Sequence, residues 1–415
     1  MSRSSLAIRA MGLFAIRIGG ALLLILQVAA VAYLFGLDVV GINGIFWSAV
    51  VISRVAGPLG LDILGLKDTA NQDGEASESM IASVALRDTR ALAYIWGTVV
   101  AITLVVWGLA CLAWQPTGAL GPVLAVSCAA SAFQRLWFVS LLARGRSIFG
   151  QLLESIAIPV AAIAAAWLTP PSNPEAFLFG QGAAVVLITV IFGASALWPV
   201  LKRRVAVEPV RWKTALTIAL GATLTALAVR SPIFLVGMTS NRAAGEYDIA
   251  QRFQSAGSVS VSAVSTAVMP RLSVSLQKYR RWETLKLLVA SALMSCFLPF
   301  TIALVLLVVG PGWVGEVMGP EYGALWLPSL LLTVSSFVNA LTSSVGNALS
   351  LGGHERFFAW ISALQLCAII SVALVAGPVD AFEMATIVLA AECLRSLLLV
   401  LIYWRTRPRG RRRAR

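Results

Sequence analysis

The sequence predicts an all-α polytopic membrane protein, and three observations carry that prediction. Apolar runs of about twenty residues, long enough as helix to cross roughly 30 Å of hydrocarbon, recur along the whole chain. The composition is 59% hydrophobic and 12% charged over 415 residues, far from the soluble average of about half apolar and a quarter charged. Lysine and arginine fall almost entirely on alternate connections between the runs, as expected where positive charge stays cytoplasmic.

The apolar runs predict twelve spans: 12–35, 42–66, 91–114, 119–143, 147–168, 176–201, 215–238, 245–268, 285–309, 324–350, 357–376 and 383–404. The first is too long and too weakly cleavable at its end to read as a signal peptide. The eighth is the weakest, being rich in serine. On the N-terminal side lie Arg3 and Arg9, Lys67, Arg87 and Arg90, Arg144 and Arg146, and the basic loop 202–214. Arg271, Lys278, Arg280, Arg281 and Arg356 follow on that side, with seven arginines from Arg405 to Arg415. The opposite side keeps only Arg242. Both termini are therefore expected in the cytoplasm, which requires an even number of spans.

This distribution also explains the net charge of +13 without nucleic acid. The tail RTRPRGRRRAR directly follows a membrane helix, where it suits anionic lipid headgroups. The five cysteines, Cys111, Cys128, Cys296, Cys367 and Cys393, all fall inside spans without CxxC spacing and read as packing residues. The one histidine, His354, lies in the cytoplasmic GGHER turn. No His/Cys/Asp cluster is visible, so neither a metal, a cofactor nor a catalytic triad is expected. The longest outer loop, GPGWVGEVMGPEYG at 310–323, has only Glu316 and Glu321 as ionisable groups. A membrane-bound glycan polymerase or ligase would be expected to carry a larger outer loop with convergent acids.

The basic loop 202–214 cuts the chain into two sets of six spans, giving an N-terminal lobe 1–205, a C-terminal lobe 206–404 and a basic tail 405–415. Segment 34–54, LFGLDVVGINGIFWSAVVISR, can be laid on 235–252, LVGMTSNRAAGEYDIAQR, with a short gap. Each has an apolar helix ending at a Gly turn, a second Gly, an aromatic and an arginine. Two similar halves suit a transporter with its site at the repeat interface.

Seven basic residues fall within spans: Arg17, Arg54, Arg135, Arg230, Arg252, Lys286 and Arg395. Lys286 lies near a cytoplasmic end, where a long side chain snorkels. Arg395 follows Glu392 by one helical turn, which favours a local ion pair. Arg17 and Arg135 lie within two turns of the cytoplasmic face, so snorkelling and a cavity both remain open for them. Arg230 is the one charge in the apolar run before the eighth span. Arg54 is expected near the middle of span 42–66. A central arginine costs about 2.5–3.5 kcal/mol on insertion scales, so several such residues need water or counter-charges. The nearby acids are Asp62, Glu154 and Asp248, and Asp38 stands in the turn after the first span. Arginines outnumber these acids, which favours a hydrated cationic cavity lined by Arg17, Arg54, Arg135, Arg230 and Arg252. Asp38, Asp62 and Asp248 are candidates for gating or coupling.

In the eighth span SNRAAG reads as the turn and GEYDIAQRFQSAGSVSVSAVSTAV as a helix. Asp248, Arg252, Ser255, Ser262 and Thr266 recur at helical spacing, predicting one wet face. Close helix packing on small residues is the alternative reading of the serines.

The run VGMTSNRAAGEYDIAQRF, the later GPEYGALWLPSLLLTVSSFVNAL and the GGHERFF turn resemble the Wzx-type polysaccharide flippases. These belong to the superfamily that also contains the lipid II flippase and the multidrug and toxin extrusion antiporters. The matching positions are Gly245, Tyr247, Ala250 and Arg252, with one residue displaced, and Gly319 and Tyr322; the N-terminal half diverges. The resemblance implies about twelve transmembrane helices in two six-helix lobes arranged as a V. It also implies transport of an undecaprenyl-pyrophosphate-linked oligosaccharide to the outer leaflet of the bacterial cytoplasmic membrane, for surface polysaccharide, with no covalent chemistry. Glycan polymerases and assembly proteins would be partners. In the lipid II branch arginines on the first, second and eighth helices line the cavity; Arg17, Arg54 and Arg252 occupy those helices here. Two further C-terminal helices of that branch are not expected. Guanidinium forks suit a pyrophosphate, which they bind bidentately. A cation-coupled multidrug antiporter of the same fold is the competing reading; it usually needs a carboxylate in the first helices, where this chain has Arg17 and Gln27.

Overall fold

The structure, a computed structural model, describes residues 3–64, 78–114, 120–143, 146–201, 209–277, 281–318, 320–351 and 354–406. Its helices are α1 (Arg3–Phe35), α2 (Leu37–Ala56), α3 (Glu78–Trp114), α4 (Leu120–Ala143) and α5 (Ser147–Leu152). A π-helical turn, Leu153–Ala157, joins α5 to α6 (Ile158–Leu168). Then come α7 (Pro174–Leu201), α8 (Trp212–Gly237), α9 (Asn241–Gln277), α10 (Arg281–Met318), a 3₁₀ turn Pro320–Leu325, α11 (Trp326–Leu351), α12 (Glu355–Ala376) and α13 (Ala381–Thr406). The expected tail beyond Thr406 and the basic residues of 202–208 and 278–280 lie outside the described residues.

Helices occupy all twelve expected positions. Among the described residues ten of them are long and apolar enough to cross a membrane, all but α3 and α9. The chain is a multi-pass α-helical membrane protein. Its surface agrees: large apolar side chains such as Leu22, Leu187, Leu293, Phe297, Val308 and Leu374 are exposed, as lipid-facing positions require. Exposed Trp198, Trp282, Trp360 and Trp404 stand near helix ends, where amphipathic rings suit headgroup depth.

Boundaries depart from the sequence reading where local chemistry overrides hydropathy. The second helix runs from Leu37 to Ala56, not 42–66, because GPLG at 57–60 stops it. Gly60 takes φ +76, and a Cβ there would meet the carbonyl oxygen of Ala215, so the turn demands glycine. Arg54 therefore sits in the last turn of α2, not mid-span, where a cation also suits the helix C-terminus. The third helix begins at Glu78; part of the expected loop 67–90 is helical, with Arg87 and Asp88 buried and paired at 2.7 Å.

The ninth helix begins at Asn241, inside the stretch read as a turn. Ser240 Oγ accepts the Ala243 N–H at 3.0 Å, an N-cap that starts the helix four residues before Gly245. The tenth is broken at Gly310, followed by Pro311, which marks the expected outer turn.

The chain packs as two compact units. The first contains Met1–Ile25, Val40–Ile42 and Ser231–Arg415; the second contains Leu26–Val39 and Asn43–Arg230. In the first, hydroxyl groups stitch α9, α10 and α11 together. Ser260 Oγ donates to the Ser295 carbonyl at 2.6 Å, Ser344 to Ser291 at 2.6 Å, and Asn347 Nδ2 to Ser265 Oγ at 3.1 Å. Most of the serines that weakened the eighth span are thus interhelical packing residues. In the second unit, Phe138, Leu141, Ile158, Ile188 and Phe192 form one core cluster, and Leu61, Leu64, Leu92, Ala132 and Leu136 another.

Candidate functional site

The second unit gathers two arginines and two carboxylates. Leu61 and Leu64 are fully buried in the core, and they aim Asp62 between them toward α4. There Arg135 Nε donates to Asp62 Oδ2 at 3.1 Å, and its guanidinium lies 5.9 Å from the Phe138 ring centroid, within cation–π range. Asp62, expected two turns beyond Arg54 on one helix, is instead across the 57–60 turn and serves Arg135.

Arg54 pairs with Glu154. Glu154 lies in the π-helical turn Leu153–Ala157, and Pro159 gives a physical reason for that turn. A proline ring inside a helix clashes with the carbonyl four residues back, here Ser155, and lacks an N–H to donate. Widening to a π turn relieves both, and such turns are frequent at functional sites. Leu153 and Ala157 pack on the core cluster of Phe138 and Ile158, anchoring the turn while Glu154 reaches Arg54.

The Arg54–Glu154 pair is partly exposed, 18% and 19% by side chain, whereas in the second pair 36% of Arg135 is exposed and Asp62 is buried. Arg54 also lies within electrostatic reach of Arg135. The cluster is neutral overall, with two cations and two anions, and the exposed members are Arg54, Glu154 and Arg135.

In the first unit Arg252 pairs with Asp248 one turn earlier at 2.9 Å, with 6% and 1% of the side chains exposed. Arg252 Nε and Asp248 Oδ1 are buried without hydrogen-bond partners among the described residues. Arg17 Nη1 donates to Ser262 Oγ at 2.9 Å, in exposed surroundings. The wet face expected of the eighth span is thus confined to its later part: Ser262 is exposed and Ser255 half-buried, but Asp248 and Arg252 are enclosed.

The cations read as cavity-lining arrive neutralised where they are in contact with acids. Arg54, Arg135 and Arg252 each hold a carboxylate, the first two because packing brings together residues far apart in sequence and the third from one turn away on its own helix. Arg230 is half-buried on α8, and Asp38 is exposed in the first turn of α2. Arg395 makes the expected pair with Glu392 at 2.6 Å; Gln365 donates to Glu392 at 2.7 Å and Arg395 to Asn339 at 3.1 Å. The residue missing from the sequence-derived site is Glu154. Its signal was a lone acid five residues before a proline in an apolar run.

No protein-family model and no curated protein matches the chain. Solved structures do. The lipid II flippase MurJ in an inward closed conformation superposes with a TM-score of 0.70 at 13% identity, over 95% of this chain and 88% of that one. An inward-facing multidrug resistance MATE family transporter of the MOP superfamily gives 0.69 at 12% identity, over 95% and 96%. A MOP superfamily transporter from Pyrococcus furiosus gives 0.60 at 15%, over 96% and 93%. Across nearly its whole length, the chain has the fold shared by these flippase and multidrug-transporter structures.

Proposed function

We propose that the protein is a flippase that carries an undecaprenyl-pyrophosphate-linked oligosaccharide from the inner to the outer leaflet of a bacterial cytoplasmic membrane by alternating access. In this reading both termini are cytoplasmic, and the glycan belongs to a surface polysaccharide. The observation that carries it is the partly exposed arginine cluster of the second unit, Arg54 and Arg135, each paired with a carboxylate. A guanidinium is more weakly hydrated than an ammonium and takes a phosphate with two parallel hydrogen bonds, so it can bind a pyrophosphate within a membrane protein. Arg17, Arg230 and Arg252 are likewise assigned to headgroup binding, with Asp38, Asp62 and Asp248 as gating or coupling acids. Membrane lipids, and the glycan polymerase and assembly proteins, would be its partners.

The test is deletion of the gene, followed by identification of the lipid-linked glycan that accumulates on the inner leaflet. Arg54→Ala at matched membrane levels should fail to restore export, and Arg54→Lys should restore it only in part, since lysine keeps the charge but loses the fork. Full export by Arg54→Ala would remove the assignment. The fold is shared equally with multidrug transporters, so drug efflux without glycan accumulation would favour cation-coupled antiport instead.

A further inference from the structure

We infer that Glu154 is an exchangeable counter-ion, a carboxylate that holds Arg54 while the site is empty and yields it to the substrate pyrophosphate. The inference rests on the flippase reading and adds to it a residue and a release step. Three features separate Glu154 from an ordinary structural partner.

The pair is partly exposed, so an incoming anion can reach the guanidinium without unfolding anything. The enclosed pairs Arg252–Asp248 and Arg395–Glu392 lack this access. Secondly, Glu154 stands on the π-helical turn Leu153–Ala157, none of whose residues is buried. Glu154 itself is not buried, so its side chain can turn away from Arg54 without leaving a packed core. Thirdly, Arg54 lies within electrostatic range of Arg135, whose own carboxylate, Asp62, is buried. A pyrophosphate that displaces Glu154 then sits in the field of both cations while Asp62 stays on Arg135. On departure Glu154 re-forms its pair, which prevents the headgroup from staying trapped on a bare arginine. The exchange moves no covalent bond and needs no added reactant.

The experiment uses the full chain in lipid nanodiscs, with radiolabelled undecaprenyl pyrophosphate and uncharged undecaprenol as probes. Glu154→Gln should bind the pyrophosphate about tenfold more tightly than the native protein, since a competing charge-assisted pair has gone. Binding of undecaprenol should be unchanged. In proteoliposomes the same variant should flip a pyrophosphate-linked glycan more slowly, about tenfold, because release loses its competitor. Glu154→Asp, which keeps the charge but shortens its reach, should fall between the two, and it decides the matter if Glu154→Gln fails to fold. Unchanged or weaker pyrophosphate binding by the folded variants overturns the counter-ion role alone. No pyrophosphate binding by the native protein overturns the flippase reading and this inference together.

Discussion

Arg252 and Asp248 close on one another across a single turn of α9, 2.9 Å apart, with almost none of either side chain exposed. In a buried pair the two partners are not separately expendable. Removing one leaves the other as an uncompensated charge, at a cost of about 3–5 kcal/mol. Arg252→Ala should therefore lower the thermal stability of the solubilised protein as well as stop transport. The neutral double variant Asp248→Asn, Arg252→Gln should recover much of the stability without recovering transport. Thermal unfolding followed by tryptophan fluorescence separates the two effects, and Arg252→Ala melting like the native protein would contradict the burial.

The Glu392–Arg395 pair allows a cleaner separation, because it belongs to a hydrogen-bonded network with Gln365 and Asn339 and has no proposed contact with substrate. Glu392→Ala alone should destabilise by about 3–5 kcal/mol, whereas Glu392→Leu with Arg395→Met should come close to native stability. Transport at matched membrane levels should follow stability in both variants. A loss of transport in a stable double variant would place this pair in the mechanism.

Along α9 the structure separates two serines that are one residue from adjacent. Ser260 is buried and donates to the Ser295 carbonyl, whereas Ser262 is exposed and accepts from Arg17. In a background lacking the five native cysteines, Ser262→Cys should react with a small charged thiol reagent at least about tenfold faster than Ser260→Cys. A buried thiol stays protonated and unreactive. Equal rates at the two positions would mean that this part of α9 is a solvated segment.

Gly60 has both a positive φ and the Ala215 carbonyl where a Cβ would go, while Gly97 has nothing within 4 Å of the same position. Gly60→Ala should cost about 1–3 kcal/mol through backbone strain and the clash. Gly97→Ala, inside α3, should be neutral or mildly stabilising. Comparing the midpoints of thermal unfolding tests the 57–60 turn that places Asp62 beside Arg135.

The sequence by itself determined the class of protein, the twelve helical positions and the intramembrane arginines. These rest on quantities that add along the chain, namely apolar length, charge count and the spacing of residues on one helix. The Glu392–Arg395 pair was legible for the same reason, since three residues along a helix fix a neighbour. Helix ends were less legible. GPLG at 57–60 and the Ser240 cap shifted α2 and α9 by several residues, because a local stop or cap acts without changing average hydropathy. Only the tertiary structure decided which acid serves which arginine. Asp62 follows Arg54 by eight residues but meets Arg135, and Glu154 reaches Arg54 from a π turn a hundred residues away. Ion pairing falls off within a few ångströms, so it depends on which helices pack together and on how one turn is wound. Neither is encoded in the spacing of a single segment.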